Sequence, residues 1–157
     1  MRKLILSVLV LLALLLTAVW AAWANFNLSA FQEPSHFETY AASKAKRALV
    51  AREARGIVPR PATPQSLSNG EMNFEMRCAM CHGRDGRNPS EAGAWMNPPA
   101  RNLASPEVQR WSDAELFWII KNGVRFTGMP GFGKVADDEE IWSLVHHIRQ
   151  IGKEAGR

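Results

Sequence analysis

The run Cys78-Ala79-Met80-Cys81-His82 constrains this chain more than any other feature, because it uses both cysteines of the 157 residues and sets an imidazole beside the second. At C-x-x-C spacing one turn of chain presents two thiols to the two vinyl groups of a haem, and the adjoining histidine reaches the iron from one face. Competing uses of two cysteines lack parts. A structural zinc site wants four nitrogen or sulfur ligands, and outside the motif only the scattered His36, His146 and His147 could contribute. A thioredoxin-like dithiol needs a βαβ context, which is absent here. One covalent haem c is the expectation, with a bare disulfide or dithiol as the alternative.

The chain begins Met1-Arg2-Lys3 and continues in an uncharged, mostly apolar run from Leu4 to Ala24. At about 1.5 Å per residue that run is long enough to cross a bilayer. Ala22-Trp23-Ala24 fits the small-residue cleavage site of a signal peptide. Against cleavage, the run exceeds the roughly 7–15 residues of an h-region, and Trp20 and Trp23 sit where an aromatic belt would lie. We read residues 1–24 as a retained single-pass anchor, with a signal peptide as the alternative. Arg2 and Lys3 flank one end, whereas no Lys or Arg follows the other until Lys44. The positive-inside rule then leaves the remainder outside the cytoplasm, where haem thioethers are made. The expected location is a bacterial inner membrane, with the haem domain facing the periplasm.

Charge is uneven. Residues 1–69 carry eight Lys/Arg against three Asp/Glu, and residues 70–157 carry eleven against twelve. Most of the excess falls between Lys44 and Arg55, in a segment expected to be helical because Ser35 and Glu38 form a capping-box pattern and Gly56 stands at its end. Lys44, Lys46, Arg47, Arg52 and Arg55 could meet anionic headgroups or an acidic partner; a solvated spacer helix is the plainer reading. Nucleic-acid binding has no support beyond these five charges. Pro59-Arg60-Pro61-Ala62-Thr63-Pro64 reads as a stiff connector. The expected division is 1–24 anchor, 25–63 basic linker helix and connector, and 64–157 globular domain.

Within that domain, Thr63 and Pro64 start a helix through Leu67, Gly70 and Phe74 to the cysteines. Gly83 lets the backbone turn away beneath a flat cofactor. Arg84 to Met96 reads as a polar loop continued by Pro98-Pro99. Ser105-Pro106 starts a short helix. Ser112 and Glu115 make a second capping box before Leu116, Phe117, Ile119 and Ile120, and Asn122-Gly123 is expected to close that helix in a left-handed cap. Asp137 to Glu140 place four carboxylates at the positive end of a helix whose apolar stripe is Ile141, Leu144, Val145 and Ile148. With no alternating run long enough for a strand, the expected fold class is all-α. So short a domain is marginal as an independent core, and a covalent porphyrin at its centre would supply the missing apolar surface.

These residues resemble class I c-type cytochromes, in particular membrane-anchored bacterial mono-haem forms. The resemblance rests on Gly70 and Phe74, on Cys78 to Gly83, on Pro98-Pro99-Ala100-Arg101-Asn102-Leu103, on Trp111 to Leu116, on Gly123-Val124-Arg125-Phe126-Thr127-Gly128-Met129-Pro130, and on Trp142. It implies thioethers at Cys78 and Cys81, His82 as proximal ligand, the methionine of Gly-Met-Pro as distal ligand, and electron transfer as the activity. It also implies that the Pro99 carbonyl accepts the second ring N–H of His82, with Pro98 nearly as good a candidate. His147 departs from the family, which usually has an aromatic there facing Gly70, and this puts the helix crossing in question.

Met129 has its own argument. A thioether is a soft ligand that suits haem iron and, paired with histidine, raises its potential. Met129 lies in a Gly/Pro-studded loop long enough to reach the opposite haem face. Met72, Met76 and Met80 are beside or inside the attachment helix, and Met96 is the rival. Arg101, Trp95 or Trp111 could bond a haem propionate. Iron ligation by His146 or His147 is the lesser reading. The expected function is single-electron carriage between redox partner proteins or a membrane respiratory complex, with no enzymatic activity and no small-molecule substrate. The alternatives are a haem subunit fixed in a larger oxidoreductase, and a haem enzyme or gas sensor with a labile distal ligand.

Overall fold

The computed structural model describes every residue except Phe26, Leu28, Ala30 and Arg157; among the described residues it contains helices and no strand. The fold class is all-α. The chain divides into two compact units, Met1–Pro34 and Ser35–Arg157. The first holds α1 (Arg2–Ala24), which buries no residue and is long and apolar enough to cross a membrane. The second holds α2 (His36–Glu53), α3 (Pro64–Arg77), α4 (Ala79–His82), α5 (Glu91–Ala94), α6 (Pro106–Gln109), α7 (Asp113–Asn122) and α8 (Asp138–Ala155).

Four of these helices begin in reciprocal capping boxes: Ser35 with Glu38, Thr63 with Ser66, Ser112 with Glu115, and Asp137 with Glu140. Each box satisfies backbone N–H groups that a first turn otherwise leaves unpaired. The apolar stripe of α8 then forms the centre of the unit, with Ile141, Leu144 and Val145 fully buried. Helix α3 crosses it at Gly70, where an added Cβ would overlap the Ser143 carbonyl oxygen and come to 2.9 Å from His147 Cβ. His147 therefore preserves the close crossing, and its ring lies 5.0 Å from that of Phe74. Trp142 stacks on Phe117 at 4.5 Å and ties α8 to α7.

Three expectations change. First, by contacts the second compact unit starts at Ser35 and takes in α2 and the connector of the expected 25–63 linker, of which Phe26, Leu28 and Ala30 lie outside the described residues. Helix α2 belongs to the compact unit because Ser43, Lys46, Arg47, Val50 and Ala54 share one helical face; Val50 and Ala54 are buried and the others half-buried. The Arg47 guanidinium sits 4.2 Å from the centre of the Trp111 ring. The five basic residues consequently do not form one face: Lys44, Arg52 and Arg55 are exposed, and Arg52 pairs with Glu53 at 2.7 Å. Second, the 84–96 segment is not all loop, since Ser90 caps the single turn of α5. Third, Gly123 closes α7 at φ +72 and ψ −174, a positive φ with extended ψ rather than a left-handed helical cap.

The connector is strapped down. The Arg60 carbonyl oxygen lies 2.9 Å from His146 Nε2, and His146 Nδ1 lies 2.9 Å from Ser66 Oγ. A carbonyl only accepts, so Nε2 carries the proton there. The Arg60 guanidinium pairs with Glu139.

Candidate haem site

The attachment motif begins at the end of α3. Cys78 N–H donates to the Phe74 carbonyl at 2.8 Å, and the N–H groups of Cys81 and His82 both donate to the Cys78 carbonyl, at 3.0 and 2.9 Å. This makes α4 a tight turn that carries both thiols and the imidazole. Across from it, α7 ends at Gly123, whose missing side chain admits close passage of Met129 to Gly131; a Cβ would lie 2.8 Å from the Met129 carbonyl oxygen. The loop between is pinned at both ends. Val124 N–H donates to the Met129 carbonyl at 3.2 Å, and Phe132 and Gly133 N–H donate to the carbonyls of Ile120 and Lys121 at 3.0 and 2.9 Å. Thr127 Oγ1 accepts from Met129 N–H at 3.1 Å.

Between these walls lies one cavity of about 330 Å³, lined by Cys78, Cys81, His82 and Met129 together with Phe74, Leu103, Leu116, Ile119, Ile120 and Ile148. That volume falls within the roughly 300–1,000 Å³ of cofactor pockets, and the mainly apolar lining suits a porphyrin. Met96 lines the same cavity, and its side chain packs against Gly128. Met80 lines it too but is largely exposed, whereas Met72 and Met76 lie outside it on the surface.

The donor set fits a haem on two counts. His82 Nδ1 stands 3.0 Å from the Arg101 carbonyl oxygen, which can only accept; Nδ1 therefore carries the hydrogen and Nε2 keeps its lone pair for a metal. Burial pushes the imidazolium below its ordinary value, against the opposing pull of that carbonyl, and so favours the neutral ring a ligand must be. The second count concerns the thiols. Both are free; burial pushes Cys78 up to about 12, with Cys81 adding to the rise and Arg77 opposing it. A redox dithiol needs the reverse, a depressed thiol. Among the described residues no group of three or more His, Cys, Asp or Glu is placed to hold a metal ion, so the lone zinc reading finds no ligands.

The expected acceptor for His82 is corrected: Pro98 and Pro99 line the cavity, but the ring N–H donates two residues further on, at Arg101. The turn that brings the loop back is closed by Leu103 N–H to Gly86 O at 2.8 Å, and this contact aims the Arg101 carbonyl. Arg101 also lines the cavity, and its guanidinium pairs with Glu107 at 3.5 Å. Trp111 lines the cavity and is buried, whereas Trp95 is exposed and is not part of it. His146 and His147 do not line it. Lys46 does, and sequence reading overlooked it; the 43-46-47-50-54 spacing along α2 was the signal.

An all-α unit with one C-x-x-C-H turn facing one methionine loop across an apolar cavity defines a c-type cytochrome of class I. Residues 65–148 match the family described as "Cytochrome C oxidase, cbb3-type, subunit III", and the chain belongs to that family. No curated protein matches it. Among solved structures, the Kuenenia stuttgartiensis reducing HAO-like protein complex Kustc0457/Kustc0458 matches with a TM-score of 0.55 at 20% identity, over 60% of this chain and 47% of that one. The chain thus spans about half the length of that structure's chain, and the likeness shows the fold. The KustC0563 c-type cytochrome matches with a TM-score of 0.47 at 31% identity, over 52% of this chain and 95% of that one. A cytochrome c domain carries covalent haem c and serves haem-based electron transfer.

Proposed function

We propose that this chain is a mono-haem electron carrier anchored by α1 in a bacterial inner membrane, with Ser35–Arg157 on the periplasmic side and His82 and Met129 as axial ligands. The observation that carries the reading is that Met129, far along the chain from the Cys78–His82 motif, lines one apolar cavity with Cys78, Cys81 and His82. A haem held by these residues would supply reversible one-electron chemistry. The chain's own residues do the rest. The Arg101 carbonyl holds the His82 ring in the ligating tautomer. The Thr127 hydroxyl and the Gly123 turn hold the methionine loop in place, while Phe74, Leu103, Leu116 and Ile120 exclude water. Arg101, with Trp111 beside it, is the candidate partner for a ring propionate.

The description of the family as an oxidase subunit favours a second reading, in which the same electron transfer occurs within a larger oxidoreductase complex. Isolation of the native complex from membranes distinguishes the two: a free carrier leaves membranes alone in mild detergent, and a subunit brings stoichiometric partners. The ligand assignment has a separate test. Met129→Ala should abolish the near-red sulfur-to-iron charge-transfer band of the ferric protein, lower the potential and admit cyanide or carbon monoxide. Loss of that band in Met96→Ala, with Met129→Ala unaffected, would transfer the ligand role to Met96.

A further inference from the structure

Three cations line the haem cavity: Lys46 from α2, Arg77 from α3, and Arg101 from the loop after the prolines. Two of them have carboxylate partners. Arg77 pairs with Glu140 at 3.3 Å, and Arg101 with Glu107 at 3.5 Å. Lys46 makes no ion pair with any described residue, although it is half-buried and belongs to the inward face of its helix. Nor is it there by looseness of the helix, because Val50 and Ala54, one and two turns further along the same face, are buried and Arg47 lies on Trp111.

An unpaired ammonium at the edge of an apolar cavity costs free energy unless an anion meets it. Burial lowers the Lys46 pKa, the Arg101 charge lowers it further, Glu107 partly opposes this, and neighbouring Arg47 adds a smaller repulsion. Arg101 already pairs with Glu107, so Lys46 brings to the same cavity a positive charge with no carboxylate of its own. A haem carries two propionates, each a carboxylate at the rim of a flat apolar ring. Nothing else assigned to this cavity is an anion.

We infer that α2 is a wall of the haem site, and that Lys46 acts with Arg101 as the seat of a ring propionate. This rests on the haem reading above and extends it to a helix that lies outside the matched residues 65–148. Its consequences are electrostatic. A cation beside the propionate keeps that group ionised to lower pH, and a cation near the iron disfavours the ferric state and raises the reduction potential. Helix α2 thereby sets the potential of the electron carrier, and the Arg47 contact with Trp111 holds it in position to do so.

The test is a spectroelectrochemical titration of the full-length, haem-loaded protein in detergent, with the potential measured from pH 5 to 9. In Lys46→Gln the potential should fall, and the pH range over which it declines as the propionate ionises should move up by about one pH unit. Lys46→Arg should restore both. Glu107→Gln removes the competing carboxylate and should move them in the opposite direction. Lys44→Gln, on the exposed face of the same helix, should leave the pH profile in place. A profile unmoved by Lys46→Gln, or moved equally by Lys44→Gln, overturns the inference; so does Glu107→Gln shifting in the same direction as Lys46→Gln. Should Lys46→Gln not fold, Lys46→Met, which keeps the apolar stem and removes the charge, carries the same decision. Haem staining of the denatured chain and the near-red band are recorded on each sample. Wild type lacking either one defeats the haem reading itself, whereas both present with an unmoved profile defeats only the role of Lys46.

Discussion

Gly70→Ala measures how much of this domain is held by the α3–α8 crossing. The added Cβ would overlap the Ser143 carbonyl oxygen and press to 2.9 Å on His147 Cβ. Both obstacles belong to the facing helix at or next to its backbone, so no flexible side-chain end can swing aside and the helices must separate. Overpacking of this kind costs about 1–3 kcal/mol, and a backbone obstacle places it near the upper end. Alanine returns about 0.8–1.0 kcal/mol through its better helix propensity. The net loss is about 2 kcal/mol, or roughly 6–10 °C in Tm for a unit of this size. Because Cys78 N–H is bonded to the Phe74 carbonyl one turn beyond the crossing, the displacement should also reach the attachment motif and broaden the haem spectrum. Urea unfolding of the haem-loaded protein, followed by tryptophan fluorescence, gives the magnitude. Gly156→Ala is the control, since its Cβ would meet nothing closer than 3.9 Å. A Gly70→Ala protein as stable as wild type would refute the reasoning, because propensity would then outweigh the clash.

Three further outcomes are expected. His147 is held below its ordinary value by burial, with Glu71 and Glu154 opposing, and its Nδ1 is buried without a hydrogen-bond partner. Its contribution to stability is therefore complete above about pH 6.5 and is lost as pH falls through the lower folded value; His147→Phe should flatten that dependence between pH 7 and 5 in denaturant midpoints, and an unchanged acid slope counts against it. Arg149 Nε donates to Asp113 at 2.7 Å and Nη1 to the Gln109 carbonyl at 3.0 Å, and its other guanidinium nitrogen donates to the Trp111 carbonyl. Arg149→Met strands these partly buried acceptors and should cost about 2–3 kcal/mol in the same unfolding assay, with a loss below 0.5 kcal/mol showing that water replaces them. Ser112→Ala removes the side-chain acceptor of a capping box at α7 and should cost about 1 kcal/mol, whereas Ser112→Asp should leave stability near wild type.

Local chemistry was legible in the sequence wherever the interacting groups lie within a turn of one another. The capping boxes at Ser35 and Ser112 pair residues three apart, and a hydroxyl at that spacing meets the same N–H groups whatever surrounds it. The buried stripe of α8 follows from helical periodicity alone. The misread carbonyl is of a different kind. Pro99 and Arg101 are both within reach of His82 by sequence, and only the path of the loop, set by the Leu103 to Gly86 hydrogen bond, selects Arg101.

By itself, then, the sequence determined an all-α chain with a C-x-x-C-H turn, a long apolar N-terminal helix and capped helices around them, because those features depend on bonds and periodicities spanning a few residues. The tertiary structure alone decided that α2 is part of the haem-bearing unit, that Lys46 and Arg47 turn inward while Lys44 and Arg55 face water, and that His146 straps the connector instead of approaching the cavity. Burial and electrostatic environment are sums over neighbours distant in sequence. A lysine in a basic run looks the same on paper whether it meets solvent or the rim of an apolar cavity, and folding assigns it to one or the other.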